Sequence, residues 1–248
     1  MRYILDISYK GTNYHGWQIQ ANAHAVQAEL NHALEKILRI KTETLGSGRT
    51  DTGVHAIQQI VEFDHEYELD IKQLKYKLNL VLPKDIVVNK IAKVLPNFSA
   101  RFDAVLRTYE YRITRKKEVF DFDLCWHFTA PLDVKAMNEA GKILLSHKDF
   151  KSFSKYKTAV DHFLCDISVA EWTSKENFLT FTITANRFLR GMVRAIVGTL
   201  LNVGLKRITL EEFEEIIKNR DRKFAGMSVP AKGLFLTKVE YPKELFIE

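Results

Sequence analysis

Between Arg107 and Thr114 the chain alternates without a break: Tyr109, Tyr111 and Ile113 fall on one side of an extended backbone, and Thr108, Glu110, Arg112 and Thr114 on the other. Side chains of a strand point to opposite faces with a period of two, so this pattern demands a strand with one face on a core and one in water. The stretch 178–185 repeats the device, with Leu179, Phe181, Ile183 and Ala185 opposite threonines. Further β-prone runs lie at 3–9, 56–63, 86–94, 167–173 and 234–239.

Helical patterns are interspersed with these strands. Val26, Leu30, Ala33, Leu34, Ile37 and Leu38 recur at three and four residues, which predicts a helix from about Ala25 to Arg39. Asp70 is placed to cap a helix carrying Ile71, Leu74 and Leu78 and ended by Pro83, and Asp133 to open one through Ala136, Met137, Ala140 and Leu144. A broad apolar helix is expected from about Phe188 to Val203, and Thr209-Leu210-Glu211-Glu212 has the spacing of a capping box. Strands and helices arranged similarly in two halves predict an α+β protein. The expectation is two sheet-based subdomains, 1–103 and 104–248, with mainly antiparallel sheets flanked by helices and an active-site cleft between them.

Composition narrows the function. With 248 residues, 46% hydrophobic and 27% charged, the chain can bury a core and is not of disordered type. Asp6 interrupts the apolar start MRYILDIS, and the longest apolar helical stretch, around 195–201, is too short for a membrane span. Cys125 and Cys165 are too few for a disulfide framework, and His162 with Cys165 is at most half a zinc site with no second half at ligand spacing. A cytoplasmic protein without metal or membrane is expected. The net charge is +6, and it is lopsided: residues 1–103 hold 13 basic and 12 acidic side chains, residues 104–248 hold 24 and 19. That excess favours a polyanionic partner.

Three segments could carry chemistry. Gly46-Ser47-Gly48-Arg49-Thr50-Asp51-Thr52-Gly53-Val54-His55 is a glycine-rich loop around one arginine and one aspartate, able to present a carboxylate at a surface; equally, Asp51 could simply cap a turn. Asp51-Thr52-Gly53 matches the triplet of aspartic proteases, but no second aspartate has the same continuation, and Arg49 would hold Asp51 ionised. The same lack of a matched second carboxylate weakens a glycosidase reading.

Arg187, Arg190 and Arg194 would form a basic stripe if 187–194 were helical, beside a small-residue strip of Gly191, Ala195 and Gly198 open to another backbone or a flat ligand. A solvated helix edge is the plainer account. The aromatic and amide-rich run from Tyr9 to Gln20, with Tyr14, Trp17 and Gln18, suits a loop that stacks on RNA, or else core anchors of a turn.

Taken in order, these pieces resemble the tRNA pseudouridine synthase A (TruA) family. The resemblance is carried by Tyr9-x-Gly11-x-x-Tyr14-x-Gly16-Trp17-Gln18-x-Gln20, Val26-Gln27, Gly48-Arg49-Thr50-Asp51-x-Gly53-Val54-His55 and Ala100-Arg101-Phe102. It continues through Arg107-x-Tyr109-x-Tyr111, Phe188-Leu189-Arg190-x-Met192-Val193-Arg194 and Gly233-Leu234-Phe235-Leu236. It implies the pseudouridine synthase fold and isomerisation of uridine to pseudouridine at positions 38, 39 and 40 of the tRNA anticodon stem and loop, by a homodimer, with no cofactor. The alternative class is a non-catalytic tRNA-binding or RNA-folding protein on the same scaffold.

By the resemblance, Asp51 matches the catalytic aspartate, Tyr109 the base-stacking tyrosine and Arg194 the active-site arginine, with an ion pair between Asp51 and Arg194. Arg49 matches the arginine of the Arg-Thr-Asp motif. Tyr14, Trp17, Gln18, Arg187 and Arg190 are weaker candidates for substrate contact, and Arg115-Lys116-Lys117 and Lys151 to Lys157 for phosphate contact. Two departures stand out: Ala25 where the family usually has Ser, and Cys165 where it commonly has Arg.

Overall fold

The computed structural model describes residues 1–155 and 160–247. Strands β1 (Arg2–Tyr9), β2 (Leu45–Gly46), β3 (His55–Asp64), β4 (Ile86–Val94), β5 (Leu106–Thr114), β6 (Trp126–His127), β7 (Ile167–Lys175), β8 (Phe178–Ala185) and β9 (Leu234–Glu240) alternate with helices. The helices are α1 (Val26–Leu38), α2 (Ile71–Val81), α3 (Val134–Leu145), α4 (Met192–Gly204) and α5 (Leu210–Lys218). This is the expected α+β composition, with mostly antiparallel pairing. Among the described residues no helix is long and apolar enough to cross a membrane.

The chain forms two compact units, residues 1–107 with 235–248 and residues 108–234. This differs from a single break between 103 and 104, because the C-terminal segment returns to the first unit. There β9 lies parallel to β3, with His55 opposite Phe235 and Ala56 opposite Leu236. A strand's own alternation says which face it buries but not which neighbour it joins, so this return is invisible to a local reading.

In the first unit the strand order is β4-β1-β3-β9, with β2 beside β3. Helix α1 buries Val26, Leu30, Ala33 and Leu34 and ends on Arg39 in the left-handed region, at φ 61°. Ala25 offers no side-chain cap. Instead the first free amides of α1, those of Val26 and Gln27, donate to the carbonyls of Gly16 and Trp17 at 3.2 and 3.0 Å, which answers the departure from serine at this position.

Gln27 is itself buried: its Nε2 donates to the Thr44 carbonyl at 2.7 Å and its Oε1 accepts from the Ile19 amide at 3.0 Å. Gln27→Ala removes both bonds and is expected to cost about 2–3 kcal/mol, read as a lower urea midpoint at unchanged m-value. Asp70 caps α2 as expected, accepting from the amides of Lys72 and Gln73.

In the second unit the order is β5-β8-β7, with β6 beside β5. Tyr109, Tyr111 and Ile113 are buried, as the alternation requires, and on the polar face Thr108 Oγ1 meets Thr184 Oγ1 at 2.9 Å. Thr209 and Glu212 complete the capping box of α5. Helix α4 differs from expectation: it begins at Met192, after Gly191 at φ 72°. A left-handed residue cannot continue a right-handed helix, so Arg187 and Arg190 lie outside it, and the three arginines share no helical stripe. The small-residue strip is already occupied. A Cβ on Gly198 would stand 1.8 Å from the Met227 carbonyl oxygen, and the Gly226 amide donates to Thr199 Oγ1 at 2.9 Å, so this unit's own 226–227 backbone takes the space.

Candidate active site

The loop between β2 and β3 presents Asp51 from a frame of backbone bonds. Thr50, just before it, accepts from the Trp17 amide at 3.2 Å through its carbonyl and meets Tyr9 OH at 2.8 Å through its Oγ1. Just after it, the Gly53 amide donates to the Tyr14 carbonyl at 3.2 Å, and the Val54 amide closes a turn onto the Asp51 carbonyl at 3.1 Å. At the base of the loop Gln59 accepts from Ser47 Oγ at 3.1 Å and donates to the Gly48 carbonyl at 2.8 Å. The Gly11 amide donates to His55 Nδ1 at 3.0 Å, which places the proton of a neutral imidazole on Nε2. Asp51 is half-buried, while Arg49 and Thr52 are exposed. The turn reading of Asp51 and the reactive reading are therefore compatible: its backbone makes the turn, and its side chain is only half-buried.

The segment 9–20 frames that loop from the interior. Tyr14 and Trp17 are 2% and 1% exposed, which favours the reading of these rings as core anchors of a turn over that of a surface loop stacking on RNA. Trp17 packs under Gly46, where a Cβ would come within 2.6 Å of the indole Nε1, and its ring stacks on Tyr9 at 6.3 Å. Tyr14 OH donates to Asp85 Oδ1 at 2.6 Å, and Asn13 Nδ2 reaches Asp85 Oδ2 at 3.2 Å. Burial first, and the Asp85 bond second, push the Tyr14 phenol well above its ordinary range, so it remains a donor at neutral pH. Gln18 is partly exposed. Asp85 is a residue sequence reasoning passed over; its position two residues after Pro83 marks a turn, but only the fold brings Asn13 and Tyr14 to it.

In the second unit Tyr109 is buried and meets the ring of Phe188 edge to face at 5.1 Å and 86°. Arg194, in the first turn of α4, is held by a reciprocal pair with Val229: its Nε donates to the Val229 carbonyl at 2.6 Å and its own carbonyl accepts from the Val229 amide at 3.2 Å. The next carbonyl, that of Pro230, accepts from Tyr111 OH at 2.9 Å. Burial raises the Tyr111 phenol far above its usual range, and the Arg194 charge opposes the rise. Gly233 is required here because a Cβ would fall 2.8 Å from the Arg112 carbonyl and 2.9 Å from the Tyr111 ring.

The weaker candidates are more scattered. Arg187 lies 3.2 and 3.3 Å from the ring nitrogens of His162, and the Arg190 carbonyl accepts from the Lys155 amide at 2.9 Å. Cys165 is a free, buried thiol 3.9 Å from Met192 Sδ, and burial pushes it up to about 11. Among the described residues no group of three or more His, Cys, Asp or Glu could hold a metal ion. Lys157 lies outside the described residues.

Against known sequences, the profile of the tRNA pseudouridine synthase family matches residues 7–103 and 140–242. The chain belongs to that family. It is 49% identical over 250 residues to the tRNA pseudouridine synthase A of Bacteroides thetaiotaomicron, covering 100% of this chain and 93% of the relative. To the protein of the same name from Bacteroides fragilis it is 48% identical over 247 residues, 99% of this chain and 98% of the relative. A more distant relative so named, from a Thermoanaerobacter species, is 39% identical over 243 residues, 96% of this chain and 98% of the relative. The family profile includes the Asp51 loop and Arg194 but passes over 104–139, where Tyr109 lies; the full-length relatives span that stretch.

Proposed function

We propose that this chain isomerises uridine to pseudouridine in tRNA, at positions 38, 39 and 40 of the anticodon stem and loop, as a cytoplasmic homodimer that needs no cofactor. Membership of the tRNA pseudouridine synthase family and full-length similarity to proteins named tRNA pseudouridine synthase A support the reaction class. The observation that carries it to particular atoms is the Asp51 loop, whose backbone is bonded on both sides of a half-buried carboxylate.

The reaction breaks the bond from the sugar C1′ to uracil N1, turns the base, joins C1′ to C5 and releases the C5 proton while N1 takes one up, so that substrate and product are isomers. An ionised carboxylate serves this either as a nucleophile at C1′ or as the base that starts an elimination. Asp51 takes that role, and Arg194 supplies the positive charge that keeps a carboxylate ionised once the base excludes water. The target nucleotide must leave its stack, at a cost of a few kcal/mol. Tyr109 stacks on the extruded uracil and Arg49 steadies the vacated position, with Gln18, Arg187 and Arg190 as secondary contacts and Arg115, Lys116, Lys117 and Lys151 as phosphate contacts.

Release of tritium from unmodified tRNA labelled at uridine C5 tests this directly. The wild-type protein is expected to release label mapping to the anticodon arm; no release at protein concentrations that saturate the tRNA would refute the reading. Tyr109→Phe is expected to fold normally and to turn over much more slowly, as a phenol taking part in the reaction requires; full activity would leave Tyr109 a packing residue.

A further inference from the structure

Ala100-Arg101-Phe102 is a motif to which the reading above gives no role. Phe102 is 76% exposed, and the guanidinium of Arg101 lies over its ring at 5.2 Å. An exposed ring on a loose loop would need no explanation, but this loop is held from several directions. Asp103 closes it on itself, accepting from the Ser99 amide at 2.7 Å while its own amide donates to the Ser99 carbonyl at 3.0 Å. The Ala100 amide donates to the carboxylate of buried Glu62, and the Ala100 carbonyl accepts from Tyr241 OH at 2.5 Å.

Arg107 then ties this loop to the one that carries Asp51. Its Nη2 donates to the Arg101 carbonyl at 2.7 Å and to the Ser47 carbonyl at 3.0 Å, so both backbones lie against one nitrogen. Its Nη1 adds a bond to the Ala104 carbonyl at 3.0 Å. The result is an exposed ring on a tethered backbone, with a cation beside it, next to the base of the candidate catalytic loop.

We infer that Arg101 and Phe102 form a stacking platform for an RNA base flanking the target uridine, with the Arg101 guanidinium also available to a phosphate. Every base has a π face, and a ring on a backbone that is already held has only its own two side-chain torsions to order when a base stacks on it. The inference rests on the tRNA reading above and adds to it a binding site that reads single-stranded or unstacked nucleotides, not sequence.

The test measures the Kd for unmodified tRNA and tritium release for the wild type, Phe102→Ala, Phe102→Leu, Phe102→Tyr and Arg101→Ala, each checked for an unchanged melting temperature and sedimentation coefficient. Phe102→Ala and Phe102→Leu are expected to bind about tenfold more weakly, with the loss falling on KM more than on kcat, and Phe102→Tyr to recover wild-type affinity. Arg101→Ala is expected to reduce the slope of log K against log salt by about one. Leu binding as well as Tyr, or Ala binding as well as wild type, would overturn the platform. So would a smaller sedimenting species for Phe102→Ala, since the ring would then be a contact between protein chains. Absence of tritium release by the wild type would instead refute the proposed reaction, and the Kd series would still decide whether this ring binds RNA.

Discussion

Asp51→Asn is expected to lower tritium release from C5-labelled tRNA by a factor on the order of 1,000 or more while leaving the Kd for that tRNA within a few fold of wild type. The substitution keeps size and hydrogen-bonding capacity but removes the carboxylate proposed as nucleophile or base. The backbone frame does not depend on the carboxylate: Thr50 is held by Tyr9 and Trp17, Gly53 by Tyr14, and the turn is closed through the Asp51 carbonyl. The variant should therefore melt near the wild-type temperature. Release within tenfold of wild type would remove Asp51 from the chemistry and reduce it to its turn.

The second large effect is structural. Gly16 sits at φ +94°, and a Cβ there would come 2.4 Å from the Thr50 carbonyl oxygen, the one that accepts from the Trp17 amide. Both the backbone conformation and the close approach exclude a side chain. Gly16→Ala must push 14–17 away from the Asp51 loop, with an expected loss of about 3 kcal/mol or more and a fall in melting temperature of roughly 10 °C. Gly48, in the Asp51 loop that Gly16 packs against, is the control: a Cβ there meets nothing within 4 Å. Gly48→Ala should change stability by no more than about 0.5 kcal/mol. Equal melting temperatures for the two variants would show that the loop is not held by the 14–17 segment.

Much of this was legible residue by residue. The period-two pattern of 107–114 placed Tyr109, Tyr111 and Ile113 on the buried face, and Asp70, Asp133 and Thr209 all cap helices as their positions implied. What stays open in the sequence is what surrounds a side chain. A polar, glycine-rich run allows Tyr14 and Trp17 to be either RNA-stacking rings or core anchors of a turn; they are interior, because β1, α1 and the Asp51 loop converge on that run. Apolar periodicity continues upstream of Met192 and so predicts an earlier start for α4; the left-handed Gly191 fixes the start at Met192, and a glycine's φ is decided by its environment.

The sequence by itself determined which stretches become strands and helices, which of their faces turn inward, and the ordered motifs that identify the family. These follow from local periodicity, capping chemistry and residue type, all of which act over a few neighbouring positions. Only the tertiary structure decided that 235–248 returns to lie beside β3, that Asp85 anchors Asn13 and Tyr14, and that one nitrogen of Arg107 holds the backbones of Ser47 and Arg101 together. Apart from the bond of Arg107 to Arg101, six positions away, those contacts join residues tens to nearly two hundred positions apart. Whether they form depends on how packed elements compete for the same space, which no short window of sequence contains.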